Sequence, residues 1–323
     1  MCVSSVALNL SCTFCPADDC PPDNKAQIQL PEETLDCAYQ PPDGCDVLHR
    51  YRFLPHLGEA PYPTVLMLPP DIFNLEYGDL GVPSERWATE DLRNAGFMVF
   101  QVDHRLAPPN KLPNQTSDRH PPDQTDDIKR QILAALADPQ CNGSIYLAGG
   151  SAGGCLALWC ALDSATGLVT GWDDTVRQKI KAVVSLSGPA NLDDWRNPGG
   201  LSNRDITKFE NDLDNYVNLP DQDHTHAVLL AASPVNLITT GMATSSPPVL
   251  LYATTKDPVP YQQADDMYAA LLTLDYPPGT FQEYVLPDTT GLHAFNYWHT
   301  QNTLVTPSDC VSHQVITFLQ ANP

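Results

Sequence analysis

The segment Gly149-Gly150-Ser151-Ala152-Gly153-Gly154 constrains the fold of this chain more than any other stretch. It follows a β-rich apolar run at 144–148 and opens an apolar helical stretch. A serine held on a sharp strand-to-helix turn sits in strained backbone geometry, and small neighbours let the turn close, hence glycines two residues to either side. The helix amino terminus then offers its positive dipole end and free N–H groups near the serine oxygen. A glycine-rich turn that cradles a phosphate or tightens a crossover is the plainer alternative. The strand before and the helix after favour a nucleophile.

The rest of the chain keeps the same rhythm. Runs at 64–68, 97–102, 144–148, 182–186, 249–253 and 281–286 have strand length and composition. Between them, 123–136 places Ile128, Ile132, Leu133 and Leu136 on one helical face, and further helices are predicted over 261–272 and over 308–319 with Ser308 as N-cap. Strands alternating with helices predict an α/β fold with a mostly parallel, doubly wound sheet, whose functional groups gather in loops beyond the carboxyl ends of the strands. The stretch between the strands ending near Leu186 and starting near Val249 is too long for an ordinary connection. It holds Trp195 and a weakly helical 205–217, and is read as a small cap inserted at about 190–246. The expected organisation is a Cys-rich amino-terminal extension over 1–47, then one catalytic domain over 48–323.

Composition excludes several partners. With 17 Lys and Arg against 39 Asp and Glu, the formal net charge is −22, and such a surface repels nucleic acid and anionic lipid. No apolar run approaches the ~18–20 residues that a bilayer span requires. Ten cysteines are many for a cytosolic enzyme, and Cys12, Cys15, Cys20, Cys37 and Cys45 crowd into the first 45 residues. This predicts disulfides and a secreted or periplasmic setting. The first ten residues lack the basic segment of a secretory signal, so no signal peptide is expected within the sequence. A zinc knuckle is the alternative for the extension, but only Cys12 and Cys15 have the required spacing. Cys155 and Cys160 lie in an apolar stretch and could equally be buried free thiols.

A serine nucleophile demands a base and an orienting acid, and both have candidates at strand ends. Asp257 follows the run 249–253, and His293 lies in Gly291-Leu292-His293-Ala294-Phe295 after the run 281–286. The order Ser, Asp, His suits convergence at one edge of the sheet: Ser151 attacking an acyl carbon, His293 carrying its proton, Asp257 fixing the imidazole tautomer. Asp265, Asp266 and Asp288 are rivals for the acid.

These residues resemble the α/β-hydrolase fold and, within it, the hormone-sensitive-lipase-like or acetyl-esterase-like carboxylesterases. Asp103-His104-Arg105-Leu106-Ala107-Pro108 is similar to that group's D-Y-R-L-A-P segment, and Ala232-Ser233-Pro234 to its A-S-P segment. The resemblance spans about 48–319. Where the group carries H-G-G-G, this chain reads Pro69-Pro70-Asp71-Ile72-Phe73, and proline has no N–H to donate. Aligning Phe73 with the aromatic residue that often follows H-G-G-G implies an oxyanion hole from the N–H groups of Asp71, Ile72 and Ala152. Asp257-Pro258-Val259-Pro260 is one residue tighter than the D-x-x-V-P of many relatives.

The resemblance implies a serine carboxylesterase acting on small-molecule or polymer-borne esters, of short to medium acyl chains because the cap is short, with acetylated sugars or aryl esters as possible substrates. It implies neither metal nor organic cofactor. A prolyl-oligopeptidase-type peptidase shares the triad order but usually carries a large propeller, for which about 47 leading residues leave no room. A non-catalytic binding module is the alternative of another class. Weaker features are the His224 and His226 pair as metal ligands, the glycosylation patterns at Asn114 and Asn142, and Trp195, Phe295, Tyr297 and Trp298 as an acyl pocket or as core.

Overall fold

Successive apolar residues of the central strands point to opposite faces of the sheet, and each set faces its own helical layer. The computed structural model describes residues 36–39, 48–70, 73, 83–105, 107, 120–163, 169–194, 203–219, 225–239, 245–288, 290–302 and 310–323. Its strands are β1 (Asp36–Tyr39), β2 (Leu48–Phe53), β3 (Tyr62–Leu68), β4 (Met98–Val102), β5 (Cys141–Gly150), β6 (Ile180–Leu186), β7 (Val249–Thr254) and β8 (Phe281–Leu286). They form one sheet in the order β1-β2-β4-β3-β5-β6-β7-β8. β2 is antiparallel to both neighbours, and every pair from β4 to β8 is parallel.

The helices are α1 (Pro83–Asn94), α2 (Asp123–Ala137), α3 (Ala152–Leu162), α4 (Asp174–Arg177), α5 (Asn203–Tyr216), α6 (His226–Ala231), α7 (Pro234–Thr239), α8 (Gln262–Leu271) and α9 (Val311–Gln320). Leu66, Leu68, Phe100, Leu147, Val183 and Leu251 pack on one face of the sheet with Ile128 and Ile132 of α2, Leu156 of α3 and Met267 of α8. Val65, Met67, Val99, Tyr146, Val184 and Leu250 pack on the other with Leu92 of α1 and Val315 of α9. Burying both faces explains why the central strands read as continuous apolar runs rather than alternating ones.

The six expected strands and the α2 helix are present, and the sheet is the doubly wound, mostly parallel one expected. Two strands went unread: β2, and β1, which lies within the stretch taken as the extension and pairs with β2. The last helix spans Val311–Gln320, and its N-cap is Cys310, which has extended backbone and bridges to Gln301. Ser308 lies outside the described residues. The stretch 190–246 carries α5, α6 and α7.

Cys141, Cys155, Cys160 and Cys310 are free thiols, and no disulfide occurs among the described residues. Cys155 and Cys160 are fully buried on α3, and burial raises both thiols, Cys160 to about 12. Cys12, Cys15, Cys20 and Cys45 lie outside the described residues, as does the side chain of Cys37. No helix among the described residues is long and apolar enough to cross a membrane.

The strand register levels the functional edge. Leu68 pairs with Gly149, Gly150 with Leu186, Leu186 with Tyr252 and Thr254 with Leu286, so the carboxyl ends of β3, β5, β6, β7 and β8 lie side by side. The strand order reverses at β3 and β5, where ligand crevices form in open α/β sheets.

Candidate active site

Ser151 stands between β5 and α3 with φ 50° and ψ −122°, in left-handed backbone that a serine seldom adopts. Its N–H donates to the Leu186 carbonyl at 2.8 Å, and its carbonyl accepts from Gly154 and Cys155 at 2.9 and 3.1 Å. Glycine is required next to it: a Cβ on Gly150 would stand 2.8 Å from the Ala294 Cβ and 3.0 Å from the Phe295 ring. The residue before Ser151 therefore touches the residue after His293, which brings the serine turn and the histidine loop together. Ser151 is 2% exposed, and its hydroxyl makes no hydrogen bond to the imidazole among the described residues. Such bonds commonly tighten only when substrate is present.

His293 and Asp257 meet directly. Nδ1 of His293 lies 2.7 Å from Oδ1 of Asp257, whose side chain is fully buried while the imidazole keeps 23% exposure. The same Oδ1 accepts from the Val259 N–H at 2.8 Å, so the shortened acid loop closes as an Asx turn that aims the carboxylate. Asp288, a rival for the acid, does other work. Its carboxylate accepts from the N–H groups of Thr290, Gly291 and Leu292 at 2.7–2.9 Å and from the Thr290 hydroxyl at 2.7 Å, which folds the loop leading to His293. Burial opposes the charge, but these bonds pull Asp288 down to about 2. Asp266 accepts from Asn191 at 2.8 Å, and Asp265 bonds the Glu283 carboxyl.

On the opposite side of Ser151 lies the loop after β3. Asp71 and Ile72, two of the expected oxyanion donors, are outside the described residues; the third, Ala152, opens α3 and its N–H has no partner among the described residues. Pro69 cannot donate, but its carbonyl accepts from the Gly153 N–H at 3.1 Å and ties this loop to α3. Phe73 has φ 63°, and its carbonyl accepts from the Ala107 N–H at 2.6 Å and from Gln124 Nε2 at 3.2 Å. The motif residue Arg105 explains Ala107: its guanidinium grips Asp127 through Nε and Nη2 at 2.8 and 2.9 Å and Asp123 through Nη1 at 3.1 Å. This bidentate buried pair fixes the segment that props the loop at Phe73. The Phe73 ring stacks on Tyr216 of α5 with centroids 3.9 Å apart, and His120 bonds the Tyr216 carbonyl at 2.9 Å. The helix α5 thus rests on the loop after β3 at Phe73.

Sequence reasoning missed one residue at the centre of this edge. Ser187, directly after β6, bonds Asp257 Oδ2 through its hydroxyl. Its only signal was its place at a strand end, ahead of Gly188. Other features fall away from the site. Phe295, Tyr297 and Trp298 are at most 1% exposed and belong to the core rather than to an acyl pocket; Trp195 lies outside the described residues. His226 is exposed and pairs with Asp193, His224 lies outside the described residues, and no metal-ligating cluster occurs among the described residues. Asn142 is exposed at the start of β5, its side chain accepting from the Ser144 N–H at 2.8 Å, while Asn114 lies outside the described residues.

Known structures share this architecture. An acetyl ester-xyloside bifunctional hydrolase from Caldicellulosiruptor lactoaceticus superposes with a TM-score of 0.60 at 17% identity, covering 87% of this chain and 90% of its own. Esterase B from Lactobacillus rhamnosis gives 0.60 at 19%, covering 89% and 84%, and Thermogutta terrifontis esterase 2 phosphorylated by paraoxon gives 0.56 at 15%, covering 90% and 92%. At these identities the likeness establishes the fold. The sequence matches none of the curated proteins. The BD-FAE family model matches residues 54–271, which include the serine turn, Arg105 and Asp257, and so this α/β-hydrolase-fold chain belongs to the BD-FAE family.

Proposed function

We propose that the protein is a serine carboxylesterase that hydrolyses short- to medium-chain esters, acetylated sugars and aryl esters among them, through an acyl-Ser151 intermediate. The observation that carries this reading is a serine in left-handed backbone at a helix amino terminus, beside a loop whose histidine is bonded to a buried aspartate. The Nδ1–H of His293 donates to Asp257, which leaves the Nε2 lone pair to take the Ser151 proton as Oγ attacks the acyl carbon. The Ala152 N–H and, by alignment, those of Asp71 and Ile72 receive the developing oxyanion. Collapse expels the alcohol with the proton from His293. Water then attacks the acyl-enzyme, His293 again taking a proton, and the acid leaves. Every proton and electron pair is handled by the chain and water, so the reaction needs no cofactor.

Relatives support an ester substrate: one is described as an acetyl ester-xyloside hydrolase and another as an esterase phosphorylated by paraoxon. The short cap stretch supports small acyl groups. Hydrolysis of p-nitrophenyl esters from acetate to palmitate, by the parent and Ser151→Ala, tests both points. The reading requires activity and fluorophosphonate labelling in the parent and neither in the variant; equal activity in the two overturns it. Equal rates on short and long chains would remove the acyl preference alone. We also place the enzyme in an oxidising compartment, on the cysteine crowding of the first 45 residues. Intact mass after alkylation in denaturant without reductant checks this, and ten alkylated thiols would overturn it.

A further inference from the structure

We infer that Ser187 is a positioning residue for the reaction proposed above: its hydroxyl, braced by Tyr297, fixes the second oxygen of Asp257 and the backbone of the histidine loop at once. The inference rests on the serine-esterase reading and adds a residue to it.

Ser187 is 3% exposed and has φ 57°, a conformation that favours glycine. A side chain kept at such a position, against the backbone preference, signals a role for its hydroxyl. That hydroxyl lies among Asp257 Oδ2, the Ala294 N–H at 3.1 Å and the Tyr297 hydroxyl at 2.9 Å. Tyr297 reaches on to the Tyr252 carbonyl at 3.1 Å, the same carbonyl that accepts from the Ser187 N–H at 2.7 Å.

Proton counting fixes the directions. Ser187 has one proton, and a carboxylate can only accept, so that proton goes to Asp257 Oδ2. The two lone pairs of Ser187 Oγ then accept from the Ala294 N–H and from Tyr297, whose single proton is shared with the Tyr252 carbonyl. Tyr297 remains a donor, because burial and then the Asp257 charge hold its phenol well above the usual range. Asp257 accordingly has Oδ1 held by Val259 and His293 and Oδ2 held by Ser187. A carboxylate fixed at both oxygens cannot rotate away from the imidazole. Because Ala294 is covalently joined to His293, the same hydroxyl sets where the base stands relative to the acid. No other side chain among the described residues bonds both the acid and the histidine loop.

The test uses the full chain as Ser187→Ala, Ser187→Gly and Tyr297→Phe. It measures kcat and KM on p-nitrophenyl acetate from pH 5 to 9, the rate of fluorophosphonate labelling, and Tm. Removing the donor should lower kcat and the labelling rate about 10- to 100-fold, the usual scale for a partner that orients a reacting group, with KM held within about threefold. Without Ser187, Asp257 is a less satisfied anion and holds the imidazolium proton more tightly. The acid limb of kcat/KM should therefore move to higher pH. Ser187→Gly relieves the left-handed backbone and should melt no lower than Ser187→Ala while losing as much activity. Tyr297→Phe keeps the ring in the core and should give a smaller loss of the same kind; it decides the matter if the Ser187 variants do not fold. Unchanged kcat and pH profile, or losses that merely follow Tm, would overturn the assignment. Those results leave Ser151→Ala inactive, whereas failure of the esterase reading leaves Ser151→Ala active, so the two failures are distinct.

Discussion

Asp257 and Asp288 both stand near His293, and their hydrogen bonds give them different work. Asp257 bonds the imidazole, so Asp257→Asn should invert the favoured tautomer and cut kcat/KM by about 10³- to 10⁴-fold with little change in KM, measurable on the p-nitrophenyl series. Asp288 bonds backbone N–H groups of the loop, so Asp288→Ala should loosen Gly291 and Leu292. Its carboxyl lies at about 2 in the folded protein, below its ordinary value. A depressed carboxylate contributes stability above the unfolded value near 4 and loses it as pH falls toward 2. Hydrogen-exchange protection of these amides, taken relative to the intrinsic rate at each pH, should fall over that window in the parent and be lower at neutral pH in Asp288→Ala. The sequence showed that both residues follow strands. It could not separate them, because which oxygen meets which N–H depends on loop closure.

At the scale of elements, the strand-to-helix joint leaves almost no space. A Cβ on Gly153 would stand 2.4 Å from the Leu68 carbonyl oxygen and 2.7 Å from that of Pro69, both backbone atoms that no rotamer change can move. Gly153→Ala should therefore push α3 away from the loop after β3, costing about 3 kcal/mol in urea unfolding and reducing activity further by displacing Ser151 from that loop. A loss below about 1 kcal/mol would mean that the joint yields more readily than this packing implies. This joint was legible because glycine spacing, strand and helix are all local signals. The six central strands were legible for a related reason, since burial on both faces writes continuous apolar runs. β1 and β2 were not, because Asp36–Tyr39 and Leu48–Phe53 are short and polar in part, and only pairing defines them. The prop from Arg105 through Ala107 to Phe73 was visible as a motif, while its mechanical purpose needed three dimensions.

For the whole molecule, an acidic chain that also buries carboxyls has a stability that depends on pH in more than one direction. Glu283 of β8, partly buried and hydrogen-bonded to Asp265, is raised to about 8. The folded state holds that proton more tightly than the unfolded chain, so its contribution is complete below about 4.5 and is lost as pH rises toward 8. Tm should decline across pH 5–8, and Glu283→Gln should flatten that decline; equal slopes would remove the carboxyl pair as its cause. A different consequence follows from Cys155 and Cys160. Both lie on the helix that begins just after Ser151, and burial keeps them protonated and out of reach of reagents. The enzyme thereby carries its own stopwatch: each alkylation of these thiols records a moment when the helix behind Ser151 has opened, without any label having been introduced.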